Sequence, residues 1–199
     1  MILTHPDQDH ISGLVELLKD EQIKIDNLIV NAPWKTLTRS WFKDERITNS
    51  SLRAELQEVF NKLNELINLA ENIHNAKIFY GVENLGELHC NDAIFTILGP
   101  DKDFYNTCIA NSEKTKEKSS NVKCIETIKV NSLDKEEQYV PGEIKWPEID
   151  STSAINESSI VFLFEYEGLK ILFTGDSGRN GLANAINFAD RKYVFFISD

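Results

Sequence analysis

At 199 residues, 41% of them hydrophobic, the chain is long enough for one domain with a real core and would be crowded as two. Its 32 acidic residues against 21 Lys and Arg leave a formal charge of −11, which opposes non-specific attraction to polyphosphate or anionic lipid and argues against a long duplex-binding track. Cys90, Cys108 and Cys124 form an odd set without C-x-x-C spacing, which points to a reducing, cytoplasmic setting rather than to a disulfide framework or a zinc ribbon. The sequence has no signal-peptide pattern and no apolar run near the roughly 18 residues of a spanning helix, so no membrane contact is expected.

In chain order, Met1 to Thr4 supplies the end of one strand. The next stretch, His5-Pro6-Asp7-Gln8-Asp9-His10, packs His5, Asp7, Asp9 and His10 too tightly to share one helical face, and it reads as a loop closing over ions. The bland alternative is a capped turn with incidental charge. Ile11, Leu14, Leu17 and Leu18 then repeat at helical spacing, which brings a helix N-terminus close to any anionic ligand of the loop. Ile23 to Val30 suits a buried strand, and Pro33 ends it. Trp34, Trp41 and Phe42 are expected near the mouth of the site, where they serve either base stacking or plain packing. Ser50 to His74 is the longest helical pattern, a single stripe from Leu52 to Ala70 with Ser51 as its cap and a solvated face of Glu55, Glu58, Lys62 and Glu65.

Lys77 to Tyr80 and Ala93 to Leu98 read as strands, separated by a glycine-containing segment in which His89 is a structural residue rather than a ligand. A polar insertion follows at about 101–155, rich in Lys, Glu, Ser and Asn. Val122 to Val130 is a short element inside it, and Phe104-Tyr105 and Trp146-Pro147 are its docking points. Such an insertion either shapes substrate access or contacts a protein partner. Ser158 to Tyr166 and Leu169 to Thr174 form a hairpin through Glu167-Gly168, apolar on both faces as in a buried pair covered by helices. Gly175 lets the backbone turn, and Asp176 either projects toward the early loop or caps a helix over Gly178 to Phe188. Lys192 to Ile197 reads as a last strand. Alternating strands and helices favour α/β layering in a single domain over 1–199.

Three stretches carry a family resemblance. The run from His5 to His10 resembles the His-x-His-x-Asp-His metal signature of the metallo-β-lactamase superfamily, with Asp at the second ligand position. With Ile11-Ser12-Gly13-Leu14 behind it, the run is similar to the hydrolase domain of the ComEC type, associated with DNA uptake. Asn156 to Val161 and Ile171 to Asp176 resemble the paired strands that end on a metal-bridging Asp in that family. The resemblance covers residues 1 to about 100 and 156 to 199. It implies an αββα four-layer sandwich, class α/β (α+β), and an incomplete one. The strands and Asp-Gly turn that usually precede the loop, the His that often ends the strand at Gly99, and the His-His-Gly-Ser sequence that usually follows the last strand are not in the chain.

By the same resemblance, His5 and Asp7 belong to a first metal site, Asp9 and His10 to a second, and Asp176 to the bridge, with Asp9 and Asp176 in the catalytic positions. Two divalent ions, zinc or manganese, are implied, and Asp at position 7 makes the set harder, which shifts preference toward manganese or iron without excluding zinc. Two such ions share and activate a water and clamp the attacked group. The expected function is hydrolysis of phosphodiester bonds in single-stranded DNA or nucleotides, a nuclease-type activity consistent with the acidic charge. A thioester or lactone hydrolase lacks support without the extra His. The alternative from a different class is a non-catalytic or incomplete fragment acting as a binding or structural module.

Overall fold

The protein is described by a computed structural model covering residues 1–20, 22–42, 46–115 and 152–193. Its first half is built on a short parallel sheet. The apolar run at the end of β1 (Asn27–Val30) buries Leu28, Ile29 and Val30, pairs in parallel with β2 (Lys77–Tyr80), and receives an isolated bridge from Ile2 to Ile29 on its other side. Strands buried on both faces need continuous rather than alternating apolar residues, which is why Leu28-Ile29-Val30 was legible. The preceding Ile23 to Asp26 stays outside the strand.

Helix α1 (Gln8–Leu18) faces this sheet through Ile11, Val15 and Leu18, one stripe at i, i+4 and i+7. It starts inside the motif that spacing alone assigned to a loop: Asp9 and His10 lie in its first turn, and the amides of His10 and Ile11 donate to the Asp7 carbonyl. After the short α2 (Pro33–Thr36), the single helix expected over 50–74 is two, α3 (Asn49–Val59) and α4 (Asn61–Asn72). Phe60 leaves the helical region at φ −106°, ψ 46° and is buried at the corner, so α3 packs against α2 while α4 packs against α1. The cap is also reassigned. Thr48 Oγ1 accepts from the Ser51 amide at 3.1 Å and Ser51 Oγ accepts from the Thr48 amide at 3.0 Å, a reciprocal capping box in which Ser51 is the third residue.

The second sheet is antiparallel, in the order β3 (Gly86–Cys90), β4 (Ala93–Gly99), β5 (Val161–Tyr166) and β6 (Leu169–Phe173). Strand β3 had no sequence signal beyond Leu88, because an exposed edge strand needs few apolar residues. Glu167 and Gly168, both at positive φ, close the β5–β6 hairpin as expected of a two-residue connection. The buried pair is corrected, however: β6 is exposed along its whole length, with Leu169, Leu172 and Phe173 at 55%, 53% and 43%. Beyond its ladder with β5 it is held by Phe173 stacked on Phe162 at 4.8 Å and by an ion pair between Lys170 and Glu165.

Between β4 and β5 the chain forms α5 (Lys102–Asn111) and α6 (Ala154–Glu157). Composition placed both in a solvated insertion. Tyr105, Cys108 and Ile109 are fully buried nonetheless, and Asp101 Oδ1 caps α5 by accepting from the Phe104 amide at 2.9 Å. A helix with a few large apolar residues on one face joins a core even when its average hydropathy is low. Val122 to Val130, Trp146-Pro147 and Cys124 fall outside the described residues. Helix α7 (Arg179–Tyr193) lies on β4 and β5 and runs through Lys192 and Tyr193, which sequence assigned to a strand; 194–197 fall outside the described residues.

Ile29 of the first sheet meets Ile97 and Phe162 of the second, and Ile160 just before β5, in a common apolar cluster, while a larger core lies between the first sheet and α1, α3, α4 and α5. The molecule is a mixed α and β fold with two sheets and helices. Among the described residues no helix is long and apolar enough to cross a membrane.

Candidate metal centre

Three chain segments end at one point: the turn after Leu3, the first turn of α1, and the turn after β6. They bring His5, His10 and Asp176 together, each offering one ligand atom, with all three atoms within 4.8 Å of one another. Asp176 Oδ2 lies 3.3 Å from His10 Nε2 and 3.9 Å from His5 Nε2. Asp7 adds Oδ2 at 3.9 Å from His5 Nε2. The two imidazoles sit 4.3 Å apart between centroids, tilted by 52°.

The details argue against a capped turn. Asp7 occupies the N-cap position of α1, where an Asp normally accepts from the amide two or three residues on, yet it makes no side-chain capping bond among the described residues. Its carboxylate is left for His5. Asp176 is not the cap of α7 either. That role falls to Glu157, buried at the end of α6, whose carboxylate accepts from the Gly181 amide at 2.6 Å and from the Asn180 amide and side chain at 3.4 and 3.2 Å. With the α7 amides satisfied by Glu157, Asp176 turns to the histidines. Sequence reading missed Glu157. Its only signal was an acidic residue in an otherwise uncharged run, Ile155 to Ile160.

His5 is the anchor. Its side chain is wholly buried; Nδ1 lies 3.1 Å from both Thr4 Oγ1 and Ser159 Oγ, and Nε2 has no hydrogen-bond partner among the described residues. Burial, then the neighbouring His10, holds the ring below the usual imidazole range against the opposing pull of Asp7, Asp176 and Asp9, so His5 is neutral near pH 7.

No known family model, curated protein or solved structure matches the chain.

Of the five residues assigned from sequence, four therefore converge and one stands aside. Asp9 reaches only His10 Nε2, at 3.8 Å, and its side chain is 80% exposed. Others are placed elsewhere. His89 lies exposed on β3 beside Glu87, and His74 Nε2 donates to the Leu18 carbonyl at 2.7 Å, closing the C-terminus of α1. Trp34 and Phe42 are buried in the main core, with Trp41 packed against it, so packing rather than an aromatic mouth accounts for them. Cys108 is buried and its thiol is pushed up by that burial and by Glu157 and Asp101, while Cys90 is exposed; neither belongs to the cluster.

The donor set fits a divalent ion. A bare, buried imidazole nitrogen is what a metal requires and what a hydrogen-bonded interior avoids, and the two imidazoles with the Asp176 carboxylate make an intermediate set, to which Asp7 beside His5 would add a second carboxylate. Among the described residues this is the one such group of three or more.

Proposed function

We propose that this chain is a metal-dependent hydrolase domain of the metallo-β-lactamase kind, with the αββα four-layer arrangement, cleaving phosphodiester bonds of single-stranded DNA or nucleotides in the cytoplasm. The observation that carries the reading is His5 Nε2, buried, unpartnered and facing Asp7, Asp176 and His10. An unsatisfied buried polar atom costs about 1–3 kcal/mol, and a ligated ion removes that cost. The layering rests on the cluster shared by Ile29, Ile97, Ile160 and Phe162 between two sheets, with α4 against one sheet, α1 against α4, and α7 against the other sheet.

His5, His10 and Asp176 would hold a first ion, with Asp7 as the fourth donor. Asp9, beside His10 but exposed, would offer a second and weaker seat, so two ions would bind in two phases. The chemistry supplied by a divalent ion there would be a lowered pKa for its bound water and stabilisation of charge on an attacked phosphoryl group. Asp176 Oδ2 lies within hydrogen-bond reach of His10 Nε2 and 3.9 Å from His5 Nε2, so it would ligate the first ion between the two imidazoles, while Asp9 stays open to solvent at the rim. The charge of −11 disfavours a duplex and leaves short or single-stranded substrates, while two carboxylates among four donors favour manganese over zinc.

One observation favours a second reading, a binding or structural module. The apolar residues of β6 are open to solvent, which suits a domain that completes itself against another surface. Metal analysis of protein purified without chelator, with manganese and zinc titrated into the stripped form, separates the two. One tight ion followed by a weaker second, with cleavage of a single-stranded oligonucleotide lost in His10→Ala, supports the hydrolase. A folded protein that takes up neither metal overturns it in favour of the module.

A further inference from the structure

His5 can serve the cluster only in one of its two neutral forms. With the proton on Nδ1, the bare lone pair of Nε2 faces Asp7, Asp176 and His10. With the proton on Nε2, the form an unconstrained imidazole favours in water, an N–H points at carboxylate oxygens 3.9 Å away, too far for a hydrogen bond, and no ion can be ligated there. Something must reverse the default, and the structure puts two hydroxyls in place for it. We propose that Ser159 and Thr4 are positioning residues that hold His5 with its proton on Nδ1 and its Nε2 bare, an inference that rests on the metal reading for its purpose but not for its test.

The geometry supports a built device rather than a chance contact. Both hydroxyl oxygens stand 3.1 Å from Nδ1, and they come from opposite ends of the chain, Thr4 from the N-terminal turn and Ser159 from the entry to β5. Their segments are tied together there, since the Ile160 amide donates to the Thr4 carbonyl at 2.9 Å, and the Ser159 amide is fixed within its own turn by the Asn156 carbonyl at 3.0 Å. Ser159 is buried, so its hydroxyl has no competing bulk water. Over the pair lies Gly175, at φ +54°, where a Cβ would come within 2.9 Å of Thr4 Cβ, 3.0 Å of Thr4 Oγ1 and 3.1 Å of Ser159 Cβ. The turn that delivers Asp176 thus closes directly onto the two residues that orient His5. One packed contact sets the ligand from the first segment and the ligand from the last. In the proposed form Nδ1–H donates to Ser159 Oγ, with Thr4 Oγ1 as the adjoining acceptor, the outer-shell role that fixes tautomer and ring orientation in metal-binding histidines; hydroxyls donating to a bare Nδ1 would give the opposite form, and the proton–nitrogen spectra of His5 tell the two apart.

The test uses the full chain, stripped of metal, and four variants: Ser159→Ala, Thr4→Val, the double variant, and Thr4→Ser as the conservative control. Long-range proton–nitrogen spectra of His5 are read first, with circular dichroism to establish folding, and zinc and manganese are then titrated. The wild type and Thr4→Ser should show the Nδ1–H form. The double variant should shift toward Nε2–H and lose about 10–100-fold in affinity, with the single variants between. An Nε2–H ring in the wild type, or a double variant that keeps both the Nδ1–H form and the affinity, overturns the proposal. A wild type that shows the Nδ1–H form, loses it in the double variant and binds neither metal sustains the brace and overturns the metal reading instead. If the double variant does not fold, the two single variants carry the same comparison of tautomer and affinity.

Discussion

His5 and His10 stand five residues apart in sequence and 4.3 Å apart in space, yet they are held in opposite ways. His5 is wholly buried, braced by two hydroxyls on one nitrogen and bare on the other; His10 rides the first turn of α1, one-third exposed, with Asp176 on its Nε2. Asp7 and Asp176 are about as exposed as His10 or somewhat more so, and Asp9 lies at the open end. The cluster is a gradient from a rigid, desolvated anchor to a solvated rim. Affinity and geometry should be set at the buried end, and exchange with substrate and water at the open one.

The gradient breaks most completely when a ligand is removed. Asp176→Ala and His10→Ala should each abolish metal retention, more than the roughly 10–100-fold that loss of an outer-shell partner costs, while His74→Ala should leave it unchanged. Equal metal content in the three purified proteins would sink the ligand assignment. Next in size is Gly175→Ala, which forces a side chain into the left-handed region and into contact with Thr4 and Ser159. It should cost about 2–5 kcal/mol of stability in chemical denaturation, and the surviving folded protein should bind metal more weakly. A variant as stable as wild type would show that the buried end is softer than its packing implies.

How far the sequence foretold this gradient depends on what fixes each residue. That His5, Asp7 and His10 lie close together was legible because short offsets survive any error about the intervening structure, whereas Asp176 entered only through the resemblance of the stretch from Ile171 to Asp176, with a helix cap as its alternative. The division of labour among them was not. Nothing in His-x-Asp-x-Asp-His says that the second acid points outward, because that follows from α1 beginning at Gln8 rather than at Ile11 and turning Asp9 to solvent. The same limit appears in the fold. The hairpin at Glu167-Gly168 and the buried β1 were readable from local turn chemistry and continuous hydrophobicity. The break at Phe60, the burial of α5 and the exposure of β6 depend on which neighbour each element meets, and apolar composition alone cannot say whether a surface is covered. Ser159 and Glu157 share that character. Each is an ordinary polar residue until the fold sets it beside His5 or under α7.

The buried anchor should also leave a mark on the pH dependence of the metal-free protein. His5 is held below the usual imidazole range, first by burial and then by His10. The unfolded chain protonates this ring near pH 6.5, so below that pH the unfolded state binds more protons than the folded one. Stability contributed by the neutral ring is therefore fully present above about pH 6.5 and falls as pH drops from there toward the lowered folded value. Thermal melts from pH 7.5 downward should show wild type losing more than His5→Gln across that window, and parallel curves would mean that the ring is not desolvated as its burial implies.

The smallest effect belongs to the rim. Asp9 sits 3.8 Å from His10 Nε2 with its side chain 80% exposed, a geometry in which Coulomb attraction is screened and the carboxylate is mobile. Asp9→Asn should therefore change affinity for the first ion by no more than about fivefold, the range of an exposed ion pair, while Asp7→Asn, at the N-cap and facing the buried nitrogen, should cost more. If Asp9 provides the second seat, the same variant should lose the weak phase of a manganese titration and the cleavage of a single-stranded oligonucleotide while the tight phase survives. Loss of the tight phase in Asp9→Asn would show that α1 rotates on binding to bring Asp9 inward, and the gradient would then belong to the metal-free protein alone.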